Sequence, residues 1–300
     1  MSSSLASRVL LVRPAAFGFN VATASSNYFQ EDTHATNLSA QALKEFDGVV
    51  SILEANKIQT TVLNDAPLPP KPDAIFPNNW FSTHAGGGMV LYAMEAPNRR
   101  DEITHMHIDA LAQMGYHLIE DLREEAAQHR FLEGTGSLVF DHAQCCVVAA
   151  VSSRTDPQLA ERVAALLGYQ LLLVHASDAN GLPVYHTNVV LSISPSLVIC
   201  CFDAITEKEK AAQLQMLLEM PERSVLSVTK AQMHAFCCNV LVVSDSEGIP
   251  CVVLSETAWN AFSIDQQKTI QAAAHPVVLH IPTIERVGGG SARCMIAELF

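Results

Sequence analysis

Three segments of this chain carry side chains that could do covalent chemistry together. Gly288-Gly289-Gly290-Ser291-Ala292-Arg293-Cys294-Met295 sets a cysteine behind a glycine run, and Tyr185-His186-Thr187-Asn188-Val189 sets a histidine at the start of an apolar run. Phe131-Leu132-Glu133-Gly134-Thr135-Gly136-Ser137 sets a carboxylate among glycines. A thiolate attacks well near neutral pH only when its pKa is lowered or a base stands beside it. Cys294 therefore needs His186 or an electropositive pocket, for which Arg293 and Arg286 are the local candidates. His186 in turn needs one ring nitrogen held so that the other faces the substrate, and a carboxylate such as Glu133 does this while favouring the imidazolium. Taken singly, each has a plainer explanation: a buried cysteine, a satisfied strand-edge histidine, a solvated loop acid. Taken together they point to nucleophilic catalysis.

Five amphipathic helices recur at similar intervals and would have to position these residues. The first follows Asn37 and carries Leu43, Phe46, Val50 and Leu53 at helical spacing. The second begins near Asp101, with Ile103, Ala110, Leu111 and Met114 inward. The third has Asp156 as N-cap, Pro157 at the first position and Gly168 as terminator. The fourth opens on Thr206-Glu207-Lys208-Glu209, read as a capping box, and the fifth follows Ser263, with Gln266 three residues on. Between them lie strand-like runs: Val9–Val12, Met89–Tyr92, Val147–Ala150, Leu197–Cys200, Val240–Val243 and Val252–Leu254. Starts separated by about 50 to 63 residues, with strands between, predict an α/β fold of five similar units forming a single domain over residues 1–300.

Composition narrows the function. The 300 residues are 49% apolar, ample for a core, and 18 basic against 31 acidic residues give a net charge of −13. The basic residues are scattered, so no phosphate backbone is addressed and no nucleic acid is expected as partner. Met1–Arg8 shows no long apolar segment after a basic start, and no run is long enough to span a bilayer. We expect a soluble, cytoplasmic protein without a membrane partner. Six of the eight cysteines fall in the pairs Cys145-Cys146, Cys200-Cys201 and Cys237-Cys238, in or beside apolar runs, as expected of reduced core thiols in strands. His105-Met106-His107 has a metal-ligand look, but helical geometry would separate the rings, which predicts two surface histidines. Gly86-Gly87-Gly88 predicts a hairpin turn rather than a dinucleotide loop.

The order Glu133, His186, Cys294, with these neighbours, resembles the guanidino-group-modifying enzyme superfamily, also called the amidinotransferase or pentein fold. Gly288 to Met295 resembles the nucleophile segment of dimethylarginine dimethylaminohydrolase, His186 its catalytic histidine, and Glu133-Gly134 the acid of its glycine loop. Ser153-Arg154-Thr155 is similar to the segment whose arginine binds the substrate carboxylate. Asp73-Ala74-Ile75-Phe76-Pro77-Asn78-Asn79 is similar to the substrate-binding segment. The whole chain most resembles the citrulline-utilisation hydrolase type, through Arg13-Pro14, Phe76-Pro77-Asn78-Asn79-Trp80, Asn98-Arg99-Arg100 and Glu133-Gly134-Thr135-Gly136. Arginine deiminase is another similar member.

The resemblance implies an α/β-propeller of five ββαβ units around a pseudo-fivefold axis, with the site at its centre. It implies a hydrolase of a C–N bond in a ureido or guanidino amino acid, with catalytic Cys294, His186 and Glu133, no metal and no organic cofactor. Asp73 would orient the reacting group, Asn78 and Asn79 would hydrogen-bond it, and Arg154 with Arg130 would hold the substrate carboxylate. Where the family has two acids after the aspartate, this chain has Asn78 and Asn79, and its loop aspartate is replaced by Gly136. Amides keep hydrogen-bonding capacity but drop charge, which suits a neutral ureido group or a guanidine held mainly by Asp73. An amidinotransferase passing its group to an amine is the alternative within this chemistry. The fold also serves a ribosome-binding translation factor lacking the catalytic set, so a non-enzymatic binding protein is a further alternative. Relatives are often dimers, which makes a homodimer an expectation.

Overall fold

A computed structural model describes residues 5–33 and 37–300. Its strands form five three-stranded sheets. The first joins β1 (Arg8–Arg13) and β2 (Gln59–Asn64) to β15 (Ala297–Leu299), so segments from both ends of the sequence share one sheet. The others take strands consecutively: β3 (Phe81–His84), β4 (Gly88–Leu91) and β5 (His117–Asp121); β6 (Leu138–Asp141), β7 (Cys146–Ala150) and β8 (Gln170–Val174). Then come β9 (Leu191–Ile193), β10 (Leu197–Cys200) and β11 (Ser224–Ser227), and last β12 (Leu241–Ser244), β13 (Pro250–Ser255) and β14 (His275–Leu279).

Each sheet has one antiparallel and one parallel pairing about its middle strand. A parallel neighbour cannot be reached by a tight turn, so each needs a crossover helix. The helices Leu38–Ala55, His105–Gln113, Pro157–Leu167, Lys208–Leu218 and Ile264–Ala273 supply the five crossovers. The middle strands of the last four sheets are buried almost throughout and therefore read as continuous apolar runs. The remaining members of the antiparallel pairs lie innermost: β15 packs beside β3, and β9 lies between β6 and β12.

Local chemistry explains most helix ends. Asp156 accepts the N–H groups of Gln158 and Leu159, and Gly168 ends that helix with a left-handed φ of 76°. Ser263 and Gln266 form a reciprocal capping box. The second helix starts at His105, later than predicted, because Pro97 opens a separate turn, Pro97–Arg100, and Thr104 is the cap. The box predicted at Thr206 does not form. Glu207 is the cap residue without a side-chain bond, and the Thr206 hydroxyl turns to the Glu207 carboxylate instead.

Two further expectations need correction. His107 is buried, not at the surface: its ring stacks on Trp80 and bonds the carbonyls of Glu102 and Asn64 at 3.0 and 3.3 Å. Cys145 is exposed in a turn with φ 50°, and Cys237-Cys238 follow a short helix rather than lie in a strand. All eight cysteines are free thiols. Gly86 and Gly87 make the predicted β3–β4 turn, both with positive φ. Among the described residues no helix is long and apolar enough to cross a membrane.

Candidate active site

One local device is used repeatedly to build the site. A single helical turn precedes each of four innermost strands: Pro77–Asn79 before β3, Gly134–Ser137 before β6, Thr187–Val189 before β9 and Ala292–Met295 before β15. Glu133 and His186 stand at the N-terminal side of their turns, and Cys294 lies within its own. Asn239 occupies a similar place just ahead of β12. Because these strands face one another, residues far apart in sequence converge. Cys294 is 6% exposed, Asp73 3%, His186 2% and Glu133 0%.

The glycine run has a packing reason. A Cβ on Gly288 or Gly290 would come within 2.8–2.9 Å of the Phe76 ring, so the aromatic side chain can lie against the nucleophile segment only where side chains are missing. At Gly136 a Cβ would lie 2.5 Å from Asn79 Nδ2 and 2.8 Å from His186 Nδ1. The space that a loop aspartate would need is filled by the histidine and the amide.

His186 Nε2 bonds Glu133 Oε2 at 2.8 Å, while the other carboxylate oxygen accepts the Glu95 N–H at 3.0 Å. A carboxylate only accepts, so Nε2 carries the proton and Nδ1, without a hydrogen-bond partner of its own, presents a lone pair. Burial works to raise the Glu133 pKa, but Arg154, the His186 bond and Arg99 outweigh it and hold the carboxyl well below the usual range. Arg154 Nη1 and Arg99 Nη1 approach Glu133 Oε2 at 3.5 and 3.8 Å. Burial lowers the His186 pKa; the Glu133 bond opposes this without cancelling it, and the two arginines add to it. The balance holds the His186 pKa below its ordinary value and so favours the neutral imidazole over the imidazolium expected from its carboxylate partner alone.

Arg99, which sequence reasoning did not place in the site, is its electrostatic hub. It makes a fork with Glu102 at 2.9 and 3.0 Å, donates to Asn79 Oδ1 at 2.9 Å and to the Phe76 carbonyl at 3.2 Å, and lies 3.9 Å from Asp73. Burial works against its charge, but Glu102 and Asp73 outweigh that and raise its pKa. Burial likewise pushes Glu102 up to about 7 against the pull of Arg99. Burial raises Asp73 above its ordinary value, opposed by Arg99 and by the Asn20 amide at 2.7 Å.

Arg154 is buried and fully engaged. It donates to Ser26 Oγ at 2.7 Å and the Thr23 carbonyl at 3.3 Å, pairs with Glu95 at 3.2 Å, and lies over the Tyr185 ring at 4.7 Å. Arg130 is not brought to these residues; its guanidinium turns to Glu125, Gln128 and Gln158 at the surface. Arg293 points to the Ile296 carbonyl and Glu298, and Arg286 is exposed, so neither supplies a cation to the sulfur. What touches Cys294 Sγ are two amides, Asn239 Nδ2 at 3.2 Å and Asn188 Nδ2 at 3.6 Å.

Residues 17–33 cover the site. Asn20 and Thr23 bond Asp73, Ser26 bonds Glu95 and Arg154, and Asn27 bonds the Gly288 carbonyl at 3.1 Å. Beneath this segment several buried polar atoms have no hydrogen-bond partner: Asp73 Oδ1, both amide atoms of Asn78, Asn79 Nδ2, and the Oδ1 atoms of Asn188 and Asn239. Their concentration around one cysteine is the signature of a site shaped for a polar ligand. Asn188 stands two residues after His186 and could have been noticed from sequence; Arg99 lies in the Asn98-Arg99-Arg100 segment of the resemblance, which gave it no role, and Asn239 carried no signal.

The sequence matches the family described as N,N dimethylarginine dimethylhydrolase, eukaryotic, over residues 13–300. No curated protein matches it. Among solved structures, the N-terminal domain of ArgZ, an arginine dihydrolase of the cyanobacterial ornithine-ammonia cycle, superposes with a TM-score of 0.76 at 16% identity, covering 97% of each chain. Unliganded AgrE gives 0.77 at 16% identity over 98% of this chain and 39% of its own. A dimethylarginine dimethylaminohydrolase carrying an S-methyl-L-thiocitrulline adduct gives 0.66 at 13% identity over 98% and 100%. These likenesses show a shared α/β fold. Together with the residues matched by the family, they establish that the chain belongs to the N,N-dimethylarginine dimethylhydrolase family of the pentein, guanidino-group-modifying superfamily.

Proposed function

We propose that the protein is a cysteine-dependent hydrolase of a guanidino compound with an arginine-like backbone, its five units arranged as a propeller about a pseudo-fivefold axis in one catalytic domain. The observation that carries this reading is the set of unpartnered atoms on Asp73, Asn78 and Asn79 beside Cys294 and the Glu133–His186 pair. Asp73 Oδ1 is a free acceptor suited to a guanidinium N–H, and the amides complete its recognition.

Neutral His186 takes the Cys294 proton at Nδ1, and the thiolate forms a C–S bond to the central carbon. The imidazolium then gives its proton to the leaving nitrogen, the C–N bond breaks, and ammonia or an amine departs from a thiouronium on sulfur. Water, losing a proton to the same nitrogen, adds to that carbon. The second adduct collapses with the electron pair returning to sulfur, leaving a ureido product. Glu133 holds the ring through both halves. A substrate carboxylate reaches Arg154 by exchange with Glu95 or Ser26; Arg130 has no part in this reading. Asn78, whose amide offers both a donor and an acceptor, favours a ureido substrate such as citrulline as the second reading.

Intact-protein mass spectrometry after quenching with arginine, methylated arginines and citrulline in turn, with ammonia, amine and ureido products quantified, tests both. An adduct on Cys294 with released product from a guanidine supports the first reading, and from citrulline only, the second. No adduct and no product across the panel would remove both. Adding amine acceptors to the same samples separates hydrolysis from amidino transfer.

A further inference from the structure

We propose that Asn188 and Asn239 are catalytic residues that stabilise the thiolate formed when Cys294 gives its proton to His186, by donating two amide hydrogen bonds to the sulfur; this rests on the reading of Cys294 as nucleophile. The orientation of Asn239 is fixed by a second contact. Its Nδ2 lies 3.2 Å from the sulfur and 3.3 Å from the Asn188 carbonyl, so an oxygen placed there would face another oxygen, whereas an NH2 group has one hydrogen for each. The frame behind it is backbone. Asn239 N–H bonds the Phe236 carbonyl at 2.8 Å, and the Asn239 carbonyl accepts the N–H of Arg293, the neighbour of Cys294, at 3.3 Å.

Both asparagines are buried and both leave Oδ1 without a partner. An unpaired buried carbonyl is a cost that a leucine of similar shape would avoid, so packing does not explain two carboxamides here. Among the described residues no guanidinium or ammonium bonds the sulfur: Arg293 is turned to Glu298, and Arg99 and Arg154 are held by carboxylates. Donors that bond the charged form favour it. Neutral donors do so with less loss of nucleophilicity than a cation, since reactivity falls as a thiol becomes more acidic. When the proton passes to His186 the pair left on sulfur accepts both N–H bonds. When the second adduct breaks its C–S bond, the same donors receive the thiolate as leaving group.

The test is the pH dependence of Cys294 alkylation by iodoacetamide in the whole protein, read by peptide mass spectrometry so that the other thiols do not contribute. In Asn239→Leu and Asn188→Leu the midpoint moves up by about one pH unit, giving roughly tenfold slower alkylation at pH 7, and it moves further in Asn239→Asp, whose charge opposes the thiolate. Turnover of the leucine variants recovers toward wild type as pH rises. Circular dichroism reports folding; if a leucine variant fails to fold, the isosteric aspartate variant carries the same comparison. Midpoints equal to wild type in the folded variants overturn the proposal. Turnover by Cys294→Ser would instead remove the nucleophile reading, an outcome the alkylation midpoints do not depend on.

Discussion

The site has two walls built on opposite principles. On one, Asp73, Glu102, Glu133, Arg99 and Arg154 form a buried charge network in which nearly every fork and oxygen is engaged within the protein. On the other, Asn78, Asn188 and Asn239 surround Cys294 with carboxamides whose atoms are partly unmatched. A buried charge without a partner is far more costly than a buried amide without one, so the charged wall is paired within the protein apart from Asp73 Oδ1, whereas the amide wall can wait for a ligand. The charged wall therefore sets protonation states and offers a ligand chiefly Asp73 Oδ1, while the amide wall surrounds the sulfur.

Substitutions can break this division. The largest effect is expected for Cys294→Ser, with turnover falling at least about 10³-fold while the melting temperature stays near wild type. Glu133→Gln leaves one acceptor oxygen for the two donors that the carboxylate serves, His186 Nε2 and the Glu95 N–H, and its lost charge leaves Arg99 and Arg154 less compensated. Turnover should fall about 10² to 10⁴-fold and unfolding in urea should show a loss of about 3 kcal/mol or more, so an unchanged denaturation midpoint would show that the network is dispensable. Arg99→Lys replaces a fork by a point charge that cannot serve Glu102, Asn79 and the Phe76 carbonyl together. It should cost about 2–4 kcal/mol in the same measurement and lower turnover as Asn79 loosens.

The pH response sharpens the contrast. With the His186 pKa lowered by burial, the unfolded chain binds its proton more readily, so this group's contribution to stability is lost as pH falls below about 6.5. Glu133, depressed mainly by Arg154 against its burial, contributes stability that is lost at still lower pH, below about 4.5. Glu102, pushed up to about 7 by burial, binds its proton more readily folded than unfolded and so offsets the His186 loss between about pH 7 and 4.5; the fall in melting temperature should therefore be concentrated below about pH 4.5 and be weaker in Glu133→Gln. The acid limb of kcat/KM should lie at or below pH 6.5; a limb above 7 would mean that His186 is not the neutral base described. The smallest expected effect is that of Asn78→Ala on stability. Its amide bonds nothing, so the melting temperature should stay or rise, while KM increases about tenfold through loss of one ligand contact. A stability loss like that of Arg99→Lys would erase the distinction between the walls.

Much of this was legible from sequence, for reasons that differ from residue to residue. The third and fifth crossover helices were read at their caps because Asp156 and Ser263 act on N–H groups two or three residues away. The second was misplaced because Pro97 begins a separate turn, which apolar periodicity does not register. Glu133, His186 and Cys294 stood out as residue types in unusual company. Arg99 stood out only as part of the Asn98-Arg99-Arg100 resemblance, without a role, and Asn239 not at all, because nothing in their neighbours distinguishes a hub or a sulfur donor from an ordinary surface residue. Arg154 and Arg130 look alike in sequence, yet one is buried against Tyr185 and the other pairs at the surface with Glu125.

The sequence by itself determined the alternation of strand and helix, the five-unit period and the chemistry on offer, because propensity, capping and hydrophobic spacing act between residues a few positions apart. Only the tertiary structure decided which of those residues meet. Asn188 reaches Cys294 across 106 positions and Asn239 across 55, and such contacts depend on how the innermost strands of separate sheets face one another, which no local pattern encodes.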